Sequence, residues 1–244
     1  MTENLLVLLS RSAMCARFNL RTPLTVLAQR FLFDLPPDVL VAPRYNIAPT
    51  QTVAVVRQPA IGAKRELALL HWGLIPSWAK DAKIAASLIN ARSETLAEKP
   101  AFRTALARRR CLILADGFYE WKKEGKQKLP YCFQLANQQP FAFAGLWERW
   151  RGPQGSDGPP LESCTIVTTT ANDLCRPIHE RMPVILEPAD YDLWLDPAVN
   201  DSQRLLPLLA PFPADEMQTR PVNPRVNNVR NDDPSLLDAP QTLF

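Results

Sequence analysis

Proline occurs 24 times among 244 residues, about twice the roughly 5% that is usual, and it is spread along the whole chain. Each proline fixes φ and removes a backbone donor, which disfavours a bundle of long helices and favours short strands and helices joined by fixed loops. Hydrophobic residues at 46% and charged residues at 22% are ordinary globular values, so a mainly disordered chain is excluded. A net charge of +3 permits a nucleic-acid partner without demanding one. No apolar run approaches the ~20 residues of a membrane span. The segment 1–13 contains Leu5-Leu6-Val7-Leu8-Leu9 but has no basic residues ahead of it, so it is read as an upstream extension outside the fold, not a signal peptide. Five cysteines (15, 111, 132, 164, 175), odd in number and with no C-x-x-C pair, argue against a disulfide framework or zinc site and for a reducing cytoplasm.

Thr22-Pro23 reads as an N-cap and first helical position, opening a helix through Phe31. Strands are expected at Thr52–Gln58, Glu66–Trp72 and Cys111–Ala115, and a helix at Lys99–Arg110. Tyr119–Lys123 and Pro130–Leu135 flank Glu124-Gly125-Lys126, the pattern of a hairpin. Further strands are expected at Phe141–Trp150, Ser163–Thr170 and near Gln218–Val222, with short helices at 188–195 and 202–209. Many short strands with few helices indicate an α+β chain whose sheet is curved or partly closed into a barrel. Residues 14–233 are expected to form one domain and 234–244 a loose tail.

Several residues are candidates for chemistry, each with a plainer reading beside it. His179 lies between Arg176-Pro177 and Arg181-Met182-Pro183, a loop pinned by two prolines; it is either a titrating group between two arginines or a solvated connection. In Asp116-Gly-Phe-Tyr-Glu-Trp-Lys122, strand alternation puts Phe118, Glu120 and Lys122 on one face and Tyr119 and Trp121 on the other. Glu120 is then a general acid in a partly apolar setting, or an edge charge paired with Lys122 or Lys123. Asn90-Ala-Arg-Ser-Glu-Thr95 is a capping turn, or a site in which Asn90 orients a reacting group and Arg92 holds a phosphate. His71-Trp72-Gly-Leu-Ile-Pro-Ser-Trp78 carries two indoles, core residues or stacking partners for an unpaired base. Met14-Cys15-Ala-Arg-Phe18 is ordinary core as an internal segment. With Cys15 at the N-terminus, an amine of pKa near ~8 and a thiol share one residue; such a 1,2-aminothiol condenses with an aldehyde to a five-membered thiazolidine, a closure that no internal cysteine performs.

Taken together, Met14-Cys-x-Arg-Phe18, Tyr45-Asn-Ile-Ala-Pro-Thr50, Trp72–Trp78, Asn90–Thr95, Ala115–Trp121, Ile178-His-Glu-Arg-Met-Pro183 and Val226–Asn231 resemble the SOS response-associated peptidase (SRAP) family of abasic-site processing proteins. The resemblance implies a single α+β domain with a barrel-like, mainly antiparallel β core, peripheral short helices and a positive groove for single-stranded DNA. It implies that Cys15 attacks the ring-opened aldehyde of an abasic site and forms a thiazolidine DNA–protein crosslink, shielding the lesion during the response to DNA damage. By the same resemblance Asn90 positions the Cys15 amine and the sugar, Glu120 shuttles protons, and His179 acts on ring opening. Arg17, Arg92 and Arg181 hold phosphates, while Trp72 and Trp121 shape the stacking surface. The peptidase of the family name removes what precedes the cysteine. No cofactor, metal or membrane partner is implied, and a cytoplasmic, nucleoid-associated monomer is expected.

Three features depart from the family's pattern. Thirteen residues precede Met14, so either translation begins at Met14, the preferred reading, or processing removes more than a methionine; Ala16 stands where glycine is usual; His71 stands where arginine or an aromatic is usual. Two other functions use the same residues: an N-terminal-cysteine hydrolase acting on amides or peptides in trans, and a binding module without chemistry.

Overall fold

The structure is a computed structural model and describes residues 16–125, 127–153 and 158–240. In chain order its elements are β1 (Phe18–Leu20), α1 (Leu24–Phe31), β2 (Arg44–Ile47), β3 (Thr52–Arg57), β4 (Glu66–Trp72), β5 (Asn90–Arg92), α2 (Arg103–Arg108), β6 (Arg110–Ala115) and β7 (Gly117–Glu124). There follow β8 (Gln127–Leu135), β9 (Phe141–Trp150), β10 (Leu161–Thr170), β11 (Arg181–Pro183), α3 (Tyr191–Leu195), α4 (Ser202–Leu205) and β12 (Met217–Pro221).

Five strands close on themselves. β10 pairs β4, β4 pairs β3, β3 pairs β6, β6 pairs β9, and β9 returns to β10. The expectation of a curved, partly closed sheet is thus realised as a closed ring, which removes the sheet edges inside it. Pairing is antiparallel except where β10 runs parallel to β4 and, further along, to β5. A second sheet runs β12-β8-β7-β1-β2. All six residues of β6 are buried, as expected of a strand covered on both faces. Gly145 on β9 sits opposite Cys111; a Cβ there would lie 2.8 Å from both Cys111 Sγ and Ile113 Cγ1, so only glycine leaves room for these side chains.

The two sheets meet through aromatic rings. Phe18 on β1 contacts Trp72 and Phe143 edge-on, with centroids 5.2 and 5.7 Å apart. Phe118 stacks on Phe133 at 4.9 Å and meets Phe143 edge-on. These pairs add about 0.5–1.5 kcal/mol each beyond their buried area.

Four local expectations need correction. Thr22 does not cap α1: its backbone N–H and hydroxyl both bond to the Asp116 carboxylate, and Pro23 occupies the cap position. The helix expected at Lys99–Arg110 shrinks to Arg103–Arg108, because Pro100 cannot donate and disfavours helical backbone at Lys99. The helix expected at 202–209 tightens to a 3₁₀ turn at Leu206–Leu209, where Pro207 removes a donor. The tail from 234 is not loose throughout: Pro234–Leu237 form a 3₁₀ turn capped by Asp233, and Leu236 and Leu237 are buried against the outer face of the second sheet. The hairpin between β7 and β8 turns at Gly125 with φ 61°; Lys126 of the expected turn lies outside the described residues. No helix among the described residues is long and apolar enough to cross a membrane.

Candidate active site

Cys15 lies outside the described residues, but its covalent neighbour does not. β1 and β7 run antiparallel with Phe18 opposite Phe118, and Tyr119 N–H donates to Arg17 O at 3.0 Å. The paired residues end there, and Ala16 is the next residue of the chain toward Cys15. The Cα of residue 15 is one peptide unit away, about 3.8 Å.

Glu120 is buried, 4% exposed, on the face of β7 that also carries Phe118. Of its two partners in the plainer reading, Lys122 and Lys123, Lys122 bonds Glu124 at 2.7 Å. The negative charge of Glu120 reaches Cys175: burial first, and this carboxylate second, push the Cys175 thiol up to about 12. Cys175 also holds the turn that carries His179, whose N–H bonds Cys175 O at 2.9 Å.

His179 has its Nδ1 fixed. Nδ1 lies 3.1 Å from Arg181 N and 3.2 Å from Arg181 O, accepting from the first or donating to the second according to the ring's tautomer. Asn172 holds this turn from inside, accepting from Cys175 N–H at 2.9 Å and donating to Phe212 O at 2.7 Å.

Asn90, Ala91 and Arg92 pair with Ile166, Val167 and Thr168 of β10, and on the other side of the same strand Arg181 pairs with Thr170. The capping-turn reading of Asn90 thus gives way to a strand. One end of β10 brings Asn90, Arg92, His179 and Arg181 together. The Arg181 guanidinium donates to both oxygens of Glu94, at 2.8 and 3.0 Å, and to Thr168 O at 2.7 Å. These hydrogen bonds hold the Glu94 carboxyl below its usual range. Glu94 was part of a quoted motif but carried no expected role; the pairing spans 87 residues of sequence and has no local signature.

The remaining expected residues are placed differently from one another. Trp72 is fully buried and donates from Nε1 to Ile89 O at 2.8 Å; it is a strut between Phe18, two residues after Ala16, and Ile89, the residue before Asn90, and cannot stack on a base. Trp78 of the same motif is 59% exposed. The chain turns between them at Gly73 (φ 134°), where a Cβ would stand 2.7 Å from Ala85 O. The Tyr45–Thr50 block braces this motif: Thr50 N–H bonds Trp72 O at 2.8 Å, and Trp72 N–H bonds Gln51 O at 2.9 Å. Arg17 donates to Asn46 Oδ1 at 2.7 Å and Val226 O at 2.8 Å and lies over the Trp121 ring. Burial pulls its guanidinium below the ordinary value, with the Tyr119 phenol acting the other way. Asn46, fully buried, donates to the carbonyls of Val226, Asn228 and Asn231, which explains why the Val226–Asn231 motif accompanies the others. Trp121 is half-buried and bonds Asn227 Oδ1 at 2.6 Å. Arg92 is exposed and, among the described residues, makes no hydrogen bond or ion pair.

Replacing Trp72 with Phe is expected to destabilise the fold by about 1–3 kcal/mol, since the buried Ile89 carbonyl loses its donor; denaturant unfolding measures this. His71, half-buried on β4, has its pKa lowered by burial. Its folded value is below the unfolded ~6.5, so this stabilising term is present above pH 6.5 and is lost as pH falls through the folded value. His71→Gln is expected to flatten the decline of stability on that acid side, read by thermal unfolding between about pH 7 and 5.

Burial pushes up the thiols of Cys111, Cys132, Cys164 and Cys175, so none of these is a ready nucleophile. Among the described residues no group of three or more His, Cys, Asp or Glu could hold a metal ion.

The profile of the SOS response associated peptidase (SRAP) family matches residues 14–229. The abasic site processing protein YoqW of Bacillus subtilis is 43% identical over 228 residues, spanning 93% of this chain and 100% of that protein. The abasic site processing protein HMCES of Gallus gallus is 34% identical over 224 residues, spanning 80% of this chain and 66% of that one. A crystal structure of a protein from Bacteroides thetaiotaomicron superposes with a TM-score of 0.81 at 25% identity, covering 92% of this chain and 99% of its own. A match running almost the length of the chain, on the blocks that build this site, settles its kinship: the chain belongs to the SOS response associated peptidase (SRAP) family.

Proposed function

We propose that this protein senses and shields abasic sites in single-stranded DNA by forming a thiazolidine crosslink through Cys15, once the residues ahead of Cys15 are absent or removed. The observation that carries this reading is the β1–β7 pairing, Phe18 with Phe118 and Tyr119 N–H with Arg17 O, which runs the chain leading to Cys15 along the strand that bears buried Glu120. The names of the curated relatives point the same way.

The chemistry balances without a co-reactant. His179 relays a proton from the C1′ hydroxyl of the sugar to its ring oxygen, so that the C1′–O4′ bond breaks and the aldehyde forms with no net change in protons. The neutral α-amine of Cys15 adds to that carbonyl, Glu120 as general acid protonates the departing hydroxyl so that water leaves, and the nitrogen returns a proton to Glu120 to give the imine. The thiol adds across C=N, making the S–C bond, and its proton ends on nitrogen. Asn90, rigid on β5, orients amine and sugar. Arg92 contacts phosphate, and exposed Trp78 takes the stacking role first expected of Trp72, with Trp121 as a side wall. Recognition through phosphates and stacking needs no base code, as suits a lesion without a base.

Removal of the segment ahead of Cys15, a peptidase step in cis, unmasks the amine. The protein works as a monomer, at the nucleoid in the cytoplasm. The test is to incubate protein beginning at Cys15 with single-stranded DNA carrying one abasic site and to separate the products under denaturing conditions. A covalent band is expected. Turnover of an amide substrate in trans without that band would indicate the hydrolase, and salt-sensitive retention alone would indicate a binding module.

A further inference from the structure

We propose that Glu94 is an internal counter-anion that withholds Arg181 from DNA, so that of the two arginines beside the site only Arg92 adds to phosphate binding. This rests on the single-stranded DNA reading above and assigns roles within it.

Both outer nitrogens of Arg181 are engaged by Glu94 and one also by Thr168 O. The Arg181 side chain is only 14% exposed, whereas that of Glu94 is 46% exposed. A phosphate could take the Arg181 fork only by expelling a bidentate carboxylate and drawing the guanidinium off a backbone carbonyl, and a bidentate pair of this kind is the strong form of the interaction. Arg92 stands two residues before Glu94, exposed, and without a hydrogen-bond or ion-pair partner among the described residues. Local charge follows: Arg92, Arg181 and Glu94 sum to +1. Strong retention on undamaged DNA is thereby limited, while the clamp ties the β5 segment bearing Asn90 to the β11 segment bearing His179.

Counterion release makes this measurable, because each phosphate neutralised on a single strand contributes about 0.7 to the slope of log K against log salt. The experiment measures equilibrium binding of an undamaged single-stranded oligonucleotide by fluorescence anisotropy across about 50 to 300 mM KCl. Arg92→Gln is expected to reduce the slope by about 0.7. Glu94→Gln, isosteric and still able to accept from Arg181, is expected to steepen it by about 0.7 and to tighten binding roughly three- to tenfold at the lowest salt. The charge-neutral double variant Glu94→Gln/Arg181→Gln is expected to keep the wild-type slope. The proposal is overturned if Glu94→Gln leaves slope and affinity unchanged, or if the double variant loses as much slope as Arg92→Gln. Glu94→Gln alone decides the matter should the double variant not fold. Wild-type protein that shows no salt-dependent binding at all would instead overturn the DNA reading beneath it.

Discussion

Cys15→Ala, in a chain that begins at residue 15, abolishes the denaturation-resistant adduct with abasic single-stranded DNA, down to background. Ring closure needs amine and thiol on one residue, and nothing else in the protein supplies the pair. Cys111, Cys132, Cys164 and Cys175 are buried, with thiols pushed up, and none carries a free α-amine. Cys15→Ser separates the two groups: it keeps the amine, so it retains an imine that borohydride traps, but it loses the stable adduct. Chains that retain Met14 behave like Cys15→Ala, because a peptide nitrogen does not add to an aldehyde. An adduct of wild-type yield with Cys15→Ala would remove this residue from the mechanism.

Glu120→Gln slows both formation and reversal of the adduct by about 10²- to 10⁴-fold, the usual contribution of a positioned acid–base group, while leaving their ratio nearly unchanged. The reasoning is geometric. Glu120 is buried, faces the same side as Phe118, and lies on the strand that pairs with the segment leading to Cys15, while Lys122 bonds Glu124. One group that gives a proton in the forward direction must take it in reverse, so both rates fall together. Gln keeps the shape and hydrogen-bonding capacity of the side chain, so a loss of rate with normal unfolding behaviour isolates proton transfer from structure. Equal kinetics for Glu120→Gln and wild type, followed by gel densitometry over time, would exclude Glu120 as the acid.

Much of the framework was legible from local pattern. Thr52–Arg57 and Glu66–Trp72 pair as a hairpin where β-rich runs flank a turn, and Phe141–Trp150 matches its expected span. Alternation placed Glu120 with Phe118 and apart from Tyr119 and Trp121, as the two separate core clusters require. What escaped was tertiary. Ring closure depends on β9 meeting β10 while β10 also runs parallel to β4, and no local spacing encodes that. The two indoles of one motif could not be sorted into buried Trp72 and exposed Trp78, because the reversal at Gly73 is set by contact with Ala85. The three arginines looked alike in sequence. Only distant hydrogen-bond partners distinguish them: Asn46 and Val226 for Arg17, Glu94 and Thr168 for Arg181, and for Arg92 no hydrogen bond among the described residues, only the nearby charge of Glu94. Asp116 and Asn46, polar residues beside apolar strands, are the sequence signals of this buried anchoring.

The most direct test combines intact mass and reduction of the adduct made by protein beginning at Cys15. A thiazolidine has the summed mass of protein and DNA less one water, is unchanged by borohydride, and maps by digestion to residue 15. An adduct that gains two hydrogens on reduction, maps elsewhere, or forms equally from chains retaining residues 1–14 would contradict an N-terminal aminothiol as the reactive group.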